Sequence, residues 1–341
     1  MVEVPEIDIR PLGDGGSAAK AAGASIDAAC RTVGFFYVVG HDVDPSVQDR
    51  LDTLARQFFA RPQPEKAEIA MTRGGAAWRG WFPLGGELTD GVADDKEGLY
   101  FGAELGPDDP GVGAGTPLHG PNLYPRHPRE LRDAVQTYMD AMTRVGQSVL
   151  SGMARGLGLG PSWFTDHLTA DPLTLFRIFR YPAGAGAGED DAVGRWGVGE
   201  HTDYGLLTLL GQDESGGLQV RTPDGWIDAP PRPGSIVCNL GDMLERLTGG
   251  RYRSTPHRVR NAGSADRLSF PFFLDPSWDA TVDRLPIVPR PVDDDGGRRW
   301  DHISVHGFDG TYGDYIWSKV SKVFPDLAAQ TMRRDTCEGA P

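Results

Sequence analysis

Cysteine is scarce: the 341 residues carry three, Cys30, Cys238 and Cys337. They are scattered and odd in number, so no disulfide framework is expected, and a reducing cytoplasmic setting is the expected localisation. No Cys-x-x-Cys spacing occurs, which argues against a thiolate metal site. No run of eighteen apolar residues is present, so no segment is expected to span a membrane. Met1 to Gly16 has acidic residues early and no apolar stretch, unlike a secretory signal. Basic residues are in the minority, 34 Lys and Arg against 48 Asp and Glu, a net charge of −14. That balance argues against nucleic-acid or anionic-membrane partners and fits an acidic, well-solvated surface. Internal repeats and an interdomain linker are also missing. Nothing in the sequence sets the oligomeric state.

What is present suffices for a sizeable core: 39% hydrophobic and 9% aromatic residues. Val4 to Ile9 reads as a short strand, and Ala18 to Val33 has helical spacing. Gly34-Phe35-Phe36-Tyr37-Val38-Val39-Gly40-His41 is an apolar run between glycines, the pattern of a buried strand. Val47 to Ala60 is an amphipathic helix, Gly74 to Leu105 reads as irregular, and Pro128 to Gly158 carries the longest helical stripe. From Leu173 the period switches from helix to strand. Leu175 to Pro182, His201 to Leu210, Gly217 to Arg221, Trp226 to Asp228, Ser235 to Leu240, His257 to Asn261 and Arg267 to Leu274 are short strands separated by turn residues. Ala183 to Asp191 is a loop by composition. Pro286 to Gly297 is expected on the surface, and Tyr312 to Phe324 reads as a helix. The pattern is mainly β with helical decorations, a sandwich or jelly-roll barrel. A single unit is expected: a helical region with flanking strands over 1–170, a barrel over 171–285, and a closing segment with a helix over 286–341.

The chemistry centres on Gly199 to Leu210. Read as one strand, it places His201 and Asp203 two residues apart on one face. One imidazole and one carboxylate are two thirds of the 2-His-1-carboxylate set that holds non-haem Fe(II) with open positions. Alone the signal is weak. With 8 histidines and 48 acids in 341 residues, chance supplies roughly one such pair. His257 is the third candidate, on a strand placed near the other end of the barrel, and a jelly roll brings strands about four apart back together. Its plainer reading is an ordinary half-buried histidine. His302 and His306 are spaced like a helical zinc pair but lie in a β-rich stretch that needs no metal. Arg267 and Ser269 share a strand face ten residues past His257. An arginine facing into a barrel is costly unless it meets an anion, and a guanidinium beside a hydroxyl suits a carboxylate. A structural ion pair is the competing reading. Tyr181, at a strand end before Pro182, can add a phenol donor there, or simply pack in the core.

These residues together match a known pattern. The chain resembles the isopenicillin N synthase-like family of Fe(II)/2-oxoglutarate-dependent oxygenases along nearly its whole length. Gly34 to His41 is similar to the family's Gly-Phe-Phe strand, and Leu118-His119-Gly120-Pro121-Asn122 to its His-Gly-Pro-Asn loop. His201-Thr202-Asp203 with His257-Arg258-Val259 resembles its iron motif, and Arg267-Leu268-Ser269 its Arg-x-Ser motif. Tyr312 to Tyr315 and Ser321 to Pro325 resemble its closing helix.

The resemblance implies a double-stranded β-helix (jelly-roll) core. It implies Fe(II) held by His201, Asp203 and His257, and 2-oxoglutarate chelating the iron with its far carboxylate on Arg267, Ser269 and Tyr181. O2 would complete the cofactor set. An unactivated C–H bond of a small-molecule substrate would be oxidised by hydroxylation, desaturation or cyclisation, as in natural-product biosynthesis. Succinate and CO2 would be the co-products. Val198, Leu210, Phe273 and Phe101 would line the substrate side, each being equally readable as plain core. The chain departs from the plant pattern after Tyr181-Pro182, where Ala183 to Gly188 replaces a Pro-Cys-Pro continuation, so plant substrates do not follow. In isopenicillin N synthase itself the matching arginine and serine bind the substrate's own carboxylate. An Fe(II) oxidase that cyclises its substrate without 2-oxoglutarate is therefore the alternative, and a non-catalytic ligand-binding barrel ranks below both.

Overall fold

The apolar run after Gly34 forms a strand whose Phe35, Phe36, Tyr37 and Val38 side chains are all buried. A strand covered on both faces belongs inside a sheet, and this one does. A computed structural model describes residues 3–89, 91–184, 196–260, 263–288, 304–325 and 328–329. Among these the strands are β1 (Glu6–Asp8), β2 (Phe35–Val39), β3 (Gly80–Phe82), β4 (Leu88–Thr89), β5 (Val92–Ala93), β6 (Glu97–Gly102), β7 (Thr174–Tyr181), β8 (Val198–His201), β9 (Leu207–Gln212), β10 (Leu218–Thr222), β11 (Gly225–Asp228), β12 (Ile236–Leu240), β13 (His257–Val259) and β14 (Arg267–Leu274). The large sheet runs β1-β2-β12-β9-β14-β7-β6-β3, the small sheet β11-β10-β13-β8, and β4 and β5 form a separate hairpin. The two larger sheets face one another across a cavity, the jelly-roll arrangement.

Period two explains the lining. On β7, Leu175, Arg177, Phe179 and Tyr181 alternate onto the cavity face, and on β14 Arg267, Ser269, Pro271 and Phe273 do the same. From the small sheet come Val198, His201, Leu218, His257 and Val259. Behind the large sheet lies the helix Leu131–Gly156, packed against helices Gly16–Thr32 and Pro45–Phe59. Its stripe of Leu131, Val135, Tyr138, Met142, Val145 and Val149 is buried throughout. The helix Tyr312–Val323, opened by a capping box between Thr311 and Asp314, lays Ile316, Lys319 and Val323 along the cavity. No helix among the described residues is long and apolar enough to cross a membrane.

Several expectations change. Gly74 to Leu105 is not irregular: it supplies β3 and β6 to the large sheet and holds the β4–β5 hairpin. Lys96 and Glu97 disguised β6, because charge usually marks a surface. Here both are buried and paired, Lys96 with Glu87 and Asp94 at 3.0 and 2.8 Å, Glu97 with Lys66 at 2.7 Å. Gly199 to Leu210 is not one strand either. β8 stops at His201, Thr202 to Leu206 form a turn, and β9 begins at Leu207. Gly205 permits the turn: a Cβ there would lie 1.5 Å from Asp275 Oδ1. The strand bearing His257, distant in sequence, is hydrogen-bonded beside His201, as a jelly roll allows. His306 falls in a turn rather than a strand. His302, Cys337, most of Ala183 to Asp191, Asn261 and the end of Pro286 to Gly297 lie outside the described residues.

Candidate active site

His201 and His257 are direct cross-strand partners in the antiparallel β8–β13 pair. Cross-strand neighbours project to the same face, and here the ring centroids are 4.2 Å apart. Asp203 joins them from the turn after β8. Its backbone carbonyl accepts from Asp242 N at 2.7 Å, at the start of helix Asp242–Leu247. Leu206 N donates to Asp275 Oδ1 at 3.1 Å on the other side. The turn is thus pinned at both ends. His201 Nε2 lies 3.9 Å from Asp203 Oδ1, and His257 Nε2 3.9 Å from Asp203 Oδ2. The three possible ligand atoms lie within 4.8 Å of one another.

The surroundings leave lone pairs aimed inward. His201 Nδ1 is 2.8 Å from the Gly199 carbonyl, and His257 Nδ1 is 3.2 Å from the Thr255 carbonyl. A carbonyl only accepts, so each Nδ1 carries the proton and each Nε2 keeps its lone pair. Asp203 Oδ2 accepts from the Thr208 hydroxyl and from Asn239 Nδ2, the latter at 2.6 Å. Oδ1 remains for another partner. Burial, helped by neighbouring His257, pushes the His201 imidazole down to about 3, against the opposing pull of Asp203, so it is neutral near pH 7. For Asp203, burial favours the neutral acid, but His257, His201 and the two hydrogen bonds outweigh it and lower its pKa. Two neutral imidazoles and one carboxylate on one side, with a cavity on the other, fit iron(II) with open coordination positions.

The cavity, about 530 Å³, continues to a buried cation. Arg267 is 1% exposed. Its Nε donates to the Gly216 carbonyl at 2.6 Å and Nη2 to Gln212 Oε1 at 3.5 Å. Nη1 has no partner among the described residues. Tyr181 lies opposite Arg267 across β7–β14, with its ring centroid 4.8 Å from the guanidinium carbon, and the Ser269 hydroxyl donates to the Tyr181 hydroxyl at 3.4 Å. A buried guanidinium with a spare N–H, beside two hydroxyls, is built for a carboxylate.

Val198, Leu210 and Phe273 line the same cavity. Phe101 does not: it is 1% exposed and stacked on Tyr124 and Phe176, with centroids 5.4 and 6.1 Å away. Sequence reasoning passed over Thr208 and Asn239, which hold Asp203, and Arg177, Lys96 and Glu87, which also line the cavity. A signal did exist for Arg177, which shares the period-two face of Tyr181. Asn239 offered none, because its partner lies 36 residues away.

Comparison with known proteins agrees. The family described as 2OG-Fe(II) oxygenase superfamily matches residues 174–276, and the one described as non-haem dioxygenase in morphine synthesis N-terminal matches 4–127. A probable iron/ascorbate oxidoreductase of Dictyostelium discoideum is 45% identical over 95% of this chain and 96% of its own. A homoarginine-6-hydroxylase of Arabidopsis thaliana is 36% identical over 88% of each chain. A full-length Neurospora crassa protein solved in complex with alpha-KG and thymine superposes with a TM-score of 0.74, at 25% identity and 96% coverage of both chains. The chain belongs to the 2OG-Fe(II) oxygenase superfamily, and is an oxidoreductase of small molecules that requires Fe(II), 2-oxoglutarate and O2.

Proposed function

We propose that this enzyme oxidises an unactivated C–H bond of a small molecule, by hydroxylation, desaturation or ring closure, with succinate and CO2 as co-products. The observation that carries the reading is one cavity joining the His201-Asp203-His257 cluster to the buried Arg267 with its unpartnered Nη1. His201 Nε2, Asp203 Oδ1 and His257 Nε2 hold the iron, while Gly199, Thr255, Thr208 and Asn239 fix their orientation. Arg267, Ser269 and Tyr181 hold the far carboxylate of 2-oxoglutarate. When bound, the metal with 2-oxoglutarate and O2 supplies the oxidising power that the side chains lack. Val198, Leu210 and Phe273 give the cavity its apolar wall, which limits water beside the reacting centre. A relative named homoarginine-6-hydroxylase and another, 34% identical over 95% of this chain, named 1-aminocyclopropane-1-carboxylate oxidase fit chemistry of this breadth.

The test is anaerobic. Fe(II) is added, then 2-oxoglutarate, and the visible spectrum is followed. A weak charge-transfer band that appears in the wild type and is lost in His257→Ala supports the reading, as does a band in Arg267→Gln only at much higher 2-oxoglutarate. Iron binding with neither a band nor succinate formation in air moves the assignment to an oxidase that draws all its electrons from the substrate.

A further inference from the structure

The cavity contains a second arginine that the 2-oxoglutarate site does not use, half-buried and with its Nε buried. Arg177 projects from β7 on the same face as Tyr181. Its side chain is 17% exposed, and its guanidinium lies 3.6 Å from Glu87, outside hydrogen-bond range. Glu87 is already engaged by the Tyr100 hydroxyl and by Lys96. Arg177 Nε is buried without a partner, and the guanidinium donates no hydrogen bond among the described residues. The rings of Tyr100 and Phe273 flank it, with centroids 4.4 and 4.8 Å from the guanidinium carbon. A buried polar group with open donors needs an explanation.

The two guanidinia meet different parts of the cavity wall: Arg267 lies over Tyr181, and Arg177 between Tyr100 and Phe273. The charge around the cavity favours an anion. Arg177, Arg267, Lys319 and Lys322 line it, while Lys96 is held in ion pairs by Glu87 and Asp94; the remaining lining carboxylates are Asp203 and Asp275, in a chain of net charge −14. Such a local reversal of sign concentrates anions.

We propose that the substrate bears a carboxylate, and that Arg177 anchors it while the rest of the molecule reaches toward His201 and Asp203. The flat, aromatic-flanked guanidinium matches a planar carboxylate edge to edge. The proposal rests on the cosubstrate assignment of Arg267 above, and its test separates the two. Full-length protein, Fe(II)-loaded and saturated with 2-oxoglutarate without O2, is titrated calorimetrically with the standard amino acids and short monocarboxylic acids, each against its primary amide. The expected result is at least one acid bound about tenfold or more tighter than its amide, the scale of a charged hydrogen bond. Arg177→Gln abolishes that preference, Arg177→Lys keeps part of it, and both retain wild-type 2-oxoglutarate affinity, which also reports a folded site. The proposal is overturned if no acid outbinds its amide, or if Arg177→Gln keeps the preference. Loss of 2-oxoglutarate binding in Arg177→Gln but not in Arg267→Gln would instead sink the cosubstrate assignment itself.

Discussion

His201 and His257 face each other across two hydrogen-bonded strands, 56 residues apart in sequence yet with ring centroids 4.2 Å apart. The cluster is therefore a property of strand pairing. Its rigidity comes from the ladder and from the backbone carbonyls that each Nδ1 meets. Asp203 is held differently, by a turn and by two side chains from neighbouring strands, and the first prediction concerns those.

Asn239 donates to Asp203 Oδ2 at 2.6 Å and touches no substrate in the proposed arrangement. Partners of metal ligands typically matter by about 10- to 100-fold in metal affinity. Asn239→Ala is expected to weaken Fe(II) binding within that range while the far-UV circular dichroism stays unchanged. Anaerobic Fe(II) titration measures it, and unchanged affinity would mean that the strand and turn alone position Asp203.

The Tyr181 hydroxyl lies 3.4 Å from Ser269 Oγ beside Arg267. A neutral hydrogen bond is worth about 1 kcal/mol net, so Tyr181→Phe is expected to raise the 2-oxoglutarate dissociation constant about fivefold. Arg267→Gln, which removes a charge, costs more. A larger effect in Tyr181→Phe than in Arg267→Gln would place the anion on the phenol rather than the guanidinium.

Asp275 supplies the pH dependence. Burial, opposed by bonds from Tyr312 and Leu206, raises its carboxyl to about 7, from 3.8. Between those values the folded state holds a proton that the unfolded chain has released. This contribution to stability is therefore full below about pH 4 and is lost as pH rises through 7. At about 1.4 kcal/mol per pKa unit, a few kcal/mol are at stake. Urea unfolding across this range should show the wild type losing ground to Asp275→Asn as pH rises. A constant difference would mean that Asp275 is ionised throughout.

Gly205 has no room for a side chain, since a Cβ would lie 1.5 Å from Asp275 Oδ1 and 2.3 Å from its Cγ. The turn carrying Asp203 must move if that space is filled. Gly205→Ala is expected to destabilise the protein by about 2–3 kcal/mol, in the range of overpacked cores, and to weaken Fe(II) binding with it. Thermal unfolding and metal titration on the same sample would separate the two, because lost stability with intact affinity would show that Asp275 yields instead.

The sequence by itself determined the elements with a clear period: the stripe of Leu131 to Val149, the buried run Phe35 to Val38, and the alternation that puts Arg267 with Ser269 and Tyr181 with Phe179. It also carried the residue types of the candidate metal cluster. Side-chain period is a local property, set by φ and ψ, so it survives in the one-dimensional string. Tertiary structure alone decided that β8 pairs with β13, that Asp203 stands in a turn rather than on a strand, and that Thr208 and Asn239 hold its Oδ2. It buried Lys96 and Glu97 in ion pairs at the start of β6, left Phe101 outside the cavity, and set Arg177 on the cavity wall without a hydrogen bond among the described residues. Those outcomes depend on which segments meet and which polar groups find partners once water is excluded, and no local pattern encodes either.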